Sequence, residues 1–215
     1  MKKLVIFDLD GTLVNSLEDL AQAVNFGLQS MGYDIHDVER YRYFVGNGAM
    51  KLCERALSED KRSQENIDAL YKLFAEHYAV HFCDKTVLYS GISELLCDLK
   101  HRGIMIAIAS NKPHGDCLRI VSRLIDDVIV DIVSGGDNGF EKKPAPDIVF
   151  DIMQRLAVLP EDTLFVGDSD VDIHTAKNAS VESVGCLWGF RTERELTAAG
   201  ADYIAKHPSD ILKYI

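Results

Sequence analysis

The first apolar run, Leu4-Val5-Ile6-Phe7, holds no polar residue and stops abruptly at Asp8-Leu9-Asp10-Gly11-Thr12. A short β-prone run without polar alternation is the pattern of a strand buried on both faces of a parallel sheet. Acidic residues and a glycine directly after such a strand place this segment at the carboxyl edge of the sheet, where open α/β folds bind ligands. Met1-Lys2-Lys3 ahead of the run resembles the basic start of a secretory leader. Asp8 and Asp10 cut the apolar stretch too early for one, so no targeting segment is expected there.

Beyond the first strand the pattern changes to helices alone, from Ser16 to about Asp84. Ser16 is a natural N-cap, with Glu18 and Asp19 in the first turn. Leu17, Leu20, Ala21, Val24 and Leu28 follow at helical spacing, and Gly32 closes the helix. A second helix is expected near Asn47–Leu57, after the Gly46-Asn47-Gly48 break. A third carries Ile67, Leu70, Tyr71, Phe74 and Tyr78 on one face.

Strand and helix then alternate. Ile92, Leu95, Leu96 and Leu99 mark a helix ended by Gly103, and Ile104–Ala109 a buried strand. Val128–Val133 is a further strand, Ile148–Leu156 a helix, and Thr163–Val166 and Ser183–Leu187 strands. Such alternation implies a doubly wound parallel sheet, an α/β Rossmann-like core with helices on both faces. An all-helical cap is inserted after its first strand. The expected division is a discontinuous core, 1–14 and 87–215, around a helical domain, 15–86. The 215 residues, at about 150 per domain, agree with one domain plus an insert.

With 23 Lys+Arg against 34 Asp+Glu, the chain carries a formal charge of −11. That field repels nucleic acid and anionic membranes, and the apolar runs are far too short to span a bilayer. Neither partner is expected. Five scattered cysteines (Cys53, Cys83, Cys97, Cys117 and Cys186) contain no C-x-x-C pair, which argues against a zinc site and a disulfide framework. Reduced, buried thiols and a cytoplasmic location are expected.

Four polar clusters occupy strand ends or loops at one sheet edge: Asp8-Leu9-Asp10-Gly11-Thr12, Ser110-Asn111-Lys112, Lys142-Lys143-Pro144-Ala145-Pro146, and Gly167-Asp168-Ser169-Asp170-Val171-Asp172. Each alone is an ordinary turn or helix cap. Converging, they would set carboxylates, a hydroxyl and an ammonium side by side. Asp8, Asp10, Asp168 and Asp172 offer hard oxygen ligands without histidine or cysteine, a set that favours Mg²⁺. With Mg²⁺ and Lys143 present, the site could accept a dianionic phosphoryl group held by Ser110 and backbone N–H groups near Asp10 and Asn111. His114 and His174 lie beside two of the clusters, but this chemistry asks for no imidazole, and a surface role is expected for both. Arg40, Arg42, Lys51 and Arg55 are expected on a solvated helical face, although any could meet a substrate carboxylate. Trp188 is expected to pack in the core or a lid.

The combination Asp8-x-Asp10-Gly11-Thr12, Ser110-Asn111, Lys143-Pro144 and Gly167-Asp168-Ser169-x-x-Asp172 resembles the haloacid dehalogenase superfamily of aspartate-nucleophile phosphatases. The resemblance covers nearly the whole chain, in the superfamily's order. Within it, Val45-Gly46-Asn47-Gly48-Ala49 with Arg55-Ala56-Leu57 resembles the phosphoglycolate phosphatase group. Trp188-Gly189-Phe190 and Gly200-Ala201-Asp202 fit that group more weakly. Asn15, Ser90 and Ala179-Ser180 depart from the usual pattern but lie outside the implied site.

The resemblance implies that Asp8 attacks phosphorus to form an aspartyl phosphate. Asp10 would protonate the leaving group and later deprotonate water. Ser110, Asn111 and Lys143 would bind phosphate. Asp8, the Asp10 carbonyl and Asp168 would ligate Mg²⁺, with Asp172 behind them. The substrate would be a small phosphorylated metabolite. The alternatives are a sugar-phosphate mutase of the β-phosphoglucomutase type, which the Gly46-x-Gly48 segment mildly disfavours, and a dehalogenase, which would leave Asp10 without a task. A third is a non-catalytic phosphoacceptor module, which would be shorter and would lack the helical insert.

Overall fold

The computed structural model describes residues 1–126 and 129–215 and divides into two compact units, Met1–Val14 with Leu88–Ile215, and Asn15–Val87. In the first unit, β1 (Leu4–Phe7), β4 (Met105–Ala109), β5 (Ile132–Ser134), β6 (Thr163–Gly167), β7 (Glu182–Cys186) and β8 (Tyr203–Ala205) form a six-stranded sheet in the order β5-β4-β1-β6-β7-β8. Every described pairing is parallel. The strand and helix alternation of the sequence therefore produces the expected doubly wound α/β sheet. The two-residue strands β2 (Val14–Asn15) and β3 (Val87–Leu88) lie where the chain passes between the units and pair with each other.

β1 occupies the middle of the sheet. Leu4 pairs with Met105 on one side and with Thr163 on the other, and all four residues of β1 are fully buried. The ladder continues one step past the strands, with Asp8 N donating to Val166 O at 2.9 Å and Ser110 N to Ser134 O at 3.1 Å. This register brings the ends of β1, β4 and β6 level, so the segments that follow them emerge at one edge.

The helices of this unit are α4 (Ile92–His101), α5 (His114–Leu124), α6 (Asp147–Leu156), α7 (Asp170–Asn178) and α8 (Glu193–Ala199). α6 buries Ile148, Val149, Ile152 and Met153 in a cluster with Leu4, Ile6, Ala107 and Phe165 of the sheet. Gly103, with φ +73°, follows α4, and Ile104 N returns to Leu99 O at 3.0 Å, so the chain reverses directly into β4.

The second unit is helical: α1 (Leu17–Ser30), α2 (Ala49–Ala56), α3 (Gln64–His81) and a 3₁₀ segment, Val38–Tyr43. α1 and α3 meet closely at Gly27, where an added Cβ would lie 2.6 Å from Leu70 Cδ1 and would push that side chain aside. Tyr41 is fully buried and donates its hydroxyl to Asn25 Oδ1 at 2.6 Å. Buried Asp19 accepts from Thr86 N at 2.8 Å and from Thr86 Oγ1 at 2.6 Å, tying the end of the unit to α1.

Several sequence expectations change in detail. Ser16 occupies the N-cap position but makes no capping bond through its side chain, because its backbone (φ −103°, ψ 5°) is not the extended conformation that aims the hydroxyl at the helix. The strand expected over Val128–Val133 is Ile132–Ser134; residues 127 and 128 lie outside the described residues. β8 and α8 carried too short an apolar signal to be anticipated. Cys53, Cys117 and Cys186 are buried as expected, but Cys97, on α4, is exposed and Cys83, in the turn after α3, is half-buried.

Ile152 is fully buried and remote from the strand ends, whereas Leu159 is exposed. Ile152→Ala is therefore expected to cost about 2–5 kcal/mol, a Tm loss of roughly 5–15 °C in a chain of this size, with Leu159→Ala staying within about 0.5 kcal/mol. Thermal unfolding of both variants checks the assignment of the core.

Candidate active site

Strand ends supply the polar groups at the carboxyl edge of the sheet. Asp8 and Asp10 follow β1, Ser110-Asn111-Lys112 follow β4, Asp168 follows β6, and Asp172 stands in the first turn of α7. Lys143 arrives from the loop between β5 and α6. Asn111 fixes that loop from both sides, its Nδ2 donating to Lys143 O at 3.0 Å and its Oδ1 accepting from Lys143 N at 2.8 Å.

The buried Lys143 ammonium bridges two carboxylates. It lies 2.8 Å from Asp8 Oδ1 and 2.7 Å from Asp172 Oδ1, and 5.4 Å from the centroid of the Phe165 ring. Burial works against its charge, but Asp172 and Asp8 outweigh that and hold its pKa above the ordinary lysine value. The other oxygen of Asp172 accepts from Ser169 N at 3.1 Å and from Ser169 Oγ at 2.7 Å. Asp172 is thus engaged at both ends, by an ammonium and by a helix start.

Asp168 is satisfied differently. Thr12 Oγ1 donates to its Oδ1 at 3.3 Å and Phe190 N to its Oδ2 at 2.7 Å, and it has no salt-bridge partner among the described residues. Burial first, then the Asp172 and Asp8 charges, raise its pKa well above the usual carboxylate range. Asp8 is raised to about 6, chiefly by burial, with Lys143 opposing and Asp172 and Asp10 adding to the rise.

Oxygens of Asp8, Asp168 and Asp172 lie within 4.8 Å of one another. Three buried carboxylates with only neutral donors on Asp168 form an all-oxygen set with excess negative charge. A hard divalent cation such as Mg²⁺ fits that chemistry, and a soft metal does not. The Asp10 side chain lies elsewhere, with Lys112 Nζ at 2.9 and 3.1 Å from its two oxygens.

Glycines allow the carboxylates to sit this close to backbone. Gly11 has φ +89°, and a Cβ there would lie 2.7 Å from Asp168 Cγ. A Cβ on Gly189 would overlap both Asp168 Cβ and Gly11 O. Trp188 Nε1 donates to Thr12 O at 2.9 Å, fastening the same turn.

Lys112, Thr12 and Phe190 N have roles at this edge that no sequence argument assigned. The signal for Lys112 was present: a lysine at a strand end faced with more carboxylates than one ammonium can balance. The Phe190 contact uses a backbone N–H and leaves no mark in residue type. His114 is half-buried, with its backbone N–H donating to Asp137 Oδ1 at 2.6 Å, and His174 is exposed.

The sequence profile of haloacid dehalogenase-like hydrolases matches residues 5–186. The chain belongs to this family. A relative from Colwellia psychrerythraea strain 34H, called phosphoglycolate phosphatase, is 38% identical over 208 residues, which is 94% of this chain and 92% of the relative. A protein of the same name from Vibrio parahaemolyticus is 35% identical, with 99% and 96% covered. Among solved structures, a predicted phosphoglycolate phosphatase from Haemophilus somnus 129PT superposes with a TM-score of 0.91 at 29% identity, covering 99% of this chain and 97% of that one.

Two outcomes test the geometry. The rise of the Asp8 pKa from 3.8 to about 6 means that the folded state binds the proton more tightly than the unfolded chain. Its contribution to stability is complete below pH 3.8 and is lost as pH rises to about 6, a change of about 3 kcal/mol. Asp168 acts in the same direction. In EDTA, Asp168→Asn is therefore expected to melt above the wild type at pH 8, with the gap closing as pH falls. A gap that widened toward acid would contradict the charge assignment. Gly189→Ala should displace Asp168 and weaken Mg²⁺-induced stabilisation at least tenfold in cation concentration, readable by thermal shift.

Proposed function

We propose that the protein hydrolyses small phosphate monoesters with Mg²⁺, through an aspartyl phosphate on Asp8, and that 2-phosphoglycolate is its preferred substrate class. The observation that carries this is the buried Asp8 carboxylate, held by Lys143 at the end of the central strand beside two further carboxylates. Membership of the hydrolase family supports the reaction, and relatives named phosphoglycolate phosphatase support the substrate.

Asp8, the Asp10 carbonyl and Asp168 would hold Mg²⁺, with Asp172 supporting from behind. The cation supplies charge neutralisation at the phosphoryl oxygens when bound. Asp8 is the nucleophile: its oxygen bonds to phosphorus while the bond to the leaving oxygen breaks. Lys143 faces the oxygens that gain charge, and Asn111 keeps it there by clasping its backbone. The Ser110 hydroxyl and backbone N–H groups near Asp10 and Asn111 would orient the phosphoryl group, a preorganised arrangement that lowers the barrier without moving at the moment of reaction. Asp10 donates a proton to the leaving oxygen, then accepts one from the water that cleaves the acyl phosphate. Acid–base help of this kind contributes about 10²–10⁴-fold.

A panel containing 2-phosphoglycolate and glucose 1-phosphate, assayed with and without EDTA, tests the reading. Phosphate release from 2-phosphoglycolate that EDTA abolishes is the expected result, with kcat/KM for glucose 1-phosphate at least tenfold lower. Asp8→Asn should show no turnover, and Asp10→Asn a loss of about 10²–10⁴-fold. Isomerisation of the sugar phosphate without release of inorganic phosphate would replace the hydrolase with a mutase. Full turnover by Asp8→Asn, with the amide intact by mass spectrometry, would remove the nucleophile.

A further inference from the structure

We propose that Lys112 is the positioning residue of the Asp10 carboxylate, governing proton transfer at that group without binding the phosphoryl group itself. The inference rests on Asp10 serving as the acid–base residue.

The geometry is specific. One ammonium contacts both Asp10 oxygens, at 2.9 and 3.1 Å, across 102 positions of sequence. The Lys112 side chain is 4% exposed and that of Asp10 11%. A surface lysine would sample many rotamers and fix nothing, whereas this one is enclosed. Its backbone is fixed as well: Lys112 N donates to Ser110 Oγ at 3.3 Å, and Lys112 O accepts from Gly136 N at 2.8 Å. A Cβ on Gly136 would lie 2.7 Å from Asn111 O, and one on Gly135 2.8 Å from Lys112 O, so the segment is pressed against bare backbone. The lysine thus reaches from the end of β4 to the end of β1 on a rigid base, and its ammonium determines where the Asp10 oxygens lie.

Lys112 is distinct from Lys143 in what it touches. Lys143 holds Asp8 and Asp172, on the side where phosphorus would be attacked; Lys112 holds the group assigned to move protons. In the first half-reaction the Asp8–phosphorus bond forms, the bond from phosphorus to the leaving oxygen breaks, and that oxygen takes the Asp10 proton to become an alcohol. In the second, a water oxygen bonds to phosphorus, the bond to Asp8 breaks, and the water proton returns to Asp10. Holding its oxygens in one place serves both transfers, and misplacement by about 1 Å costs on the order of 10²-fold.

Lys112→Met retains the stem and removes the ammonium. Two substrates are compared at saturating Mg²⁺: 2-phosphoglycolate, whose alkoxide leaving group needs a proton, and p-nitrophenyl phosphate, whose leaving group does not. The expected result on 2-phosphoglycolate is a kcat lowered roughly 30–100-fold with KM within about threefold. Single-turnover release of p-nitrophenol should stay within about threefold. Lys112→Met added to Asp10→Asn should cost no further factor, and Lys112→Arg should recover part of the loss.

Equal losses on both esters, a change confined to KM, or a full additional loss in the Asp10→Asn background would overturn the proposal and make Lys112 a phosphate ligand or a structural ion. Should Asp10→Asn itself fail to separate the two esters, the acid–base assignment falls, and this inference with it. Lys112→Gln, judged folded by circular dichroism, replaces Lys112→Met if the latter does not fold, with the same outcomes decisive.

Discussion

The contact on which the site depends is the Lys143 ammonium between Asp8 and Asp172. Removing the lysine would leave two buried carboxylates uncompensated, which costs several kcal/mol. Everything around the lysine serves to keep it there. Asn111 clasps its backbone, Phe165 offers a ring face, and Ser169 saturates the far oxygen of Asp172. The lysine neutralises Asp8 only in part: Asp8 remains above its usual pKa because burial outweighs the one ammonium it shares.

That partial neutralisation sets the character of the edge. Four carboxylates (Asp8, Asp10, Asp168 and Asp172) face two ammoniums, those of Lys112 and Lys143. Among the described residues Asp168 is held by a hydroxyl and a backbone N–H, donors that place it without cancelling its charge. A chain optimised only for stability would put a lysine or an amide there. The deficit left in place corresponds to one divalent cation, and it lies where the metal of the proposed reaction would be needed. The formal charge of −11 thus has a local counterpart that draws a cation rather than repelling a phosphate.

Much of this was legible in the sequence because the signals are local. Leu4–Phe7 is uniformly apolar and then acidic, and a buried parallel strand ending at a ligand edge is the pattern that agrees with both facts. Ser110 and Asp168 announce themselves as polar residues after strand-like runs, and Lys143 as a lysine in a proline-stiffened loop. The long helical stretch follows from spacing at Leu20, Val24 and Leu28 and again at Ile67, Leu70 and Phe74. What sequence could not supply was pairing across space. That Lys112 belongs to Asp10 and Lys143 to Asp8 and Asp172 depends on strand order, which puts β4 and β6 on either side of β1. The N–H of Phe190 and the close approaches at Gly11 and Gly189 are backbone facts, and residue types record them only as glycines. The strand at 203–205 was missed because an edge strand of three residues has too few apolar positions to show a period.

The same strand order explains how two lysines can have separate tasks within one small edge. β1 delivers Asp8 and Asp10 two residues apart on a turn that Gly11 opens, so the two carboxylates diverge after a shared origin. Lys143 meets the first with Asp172, which arrives on the β6 side, and Lys112 meets the second from the β4 side. A nucleophile and a proton carrier must differ in charge state for at least part of any cycle that uses both. A single shared ammonium would tie their protonation together. Two ammoniums are present instead, Lys112 on the Asp10 carboxylate and Lys143 on those of Asp8 and Asp172. The separate pairing of the two carboxylates is therefore a consequence of topology, with Lys112 at the end of β4, the neighbour of β1, and Lys143 in the loop that follows β5, one strand further out on the same side.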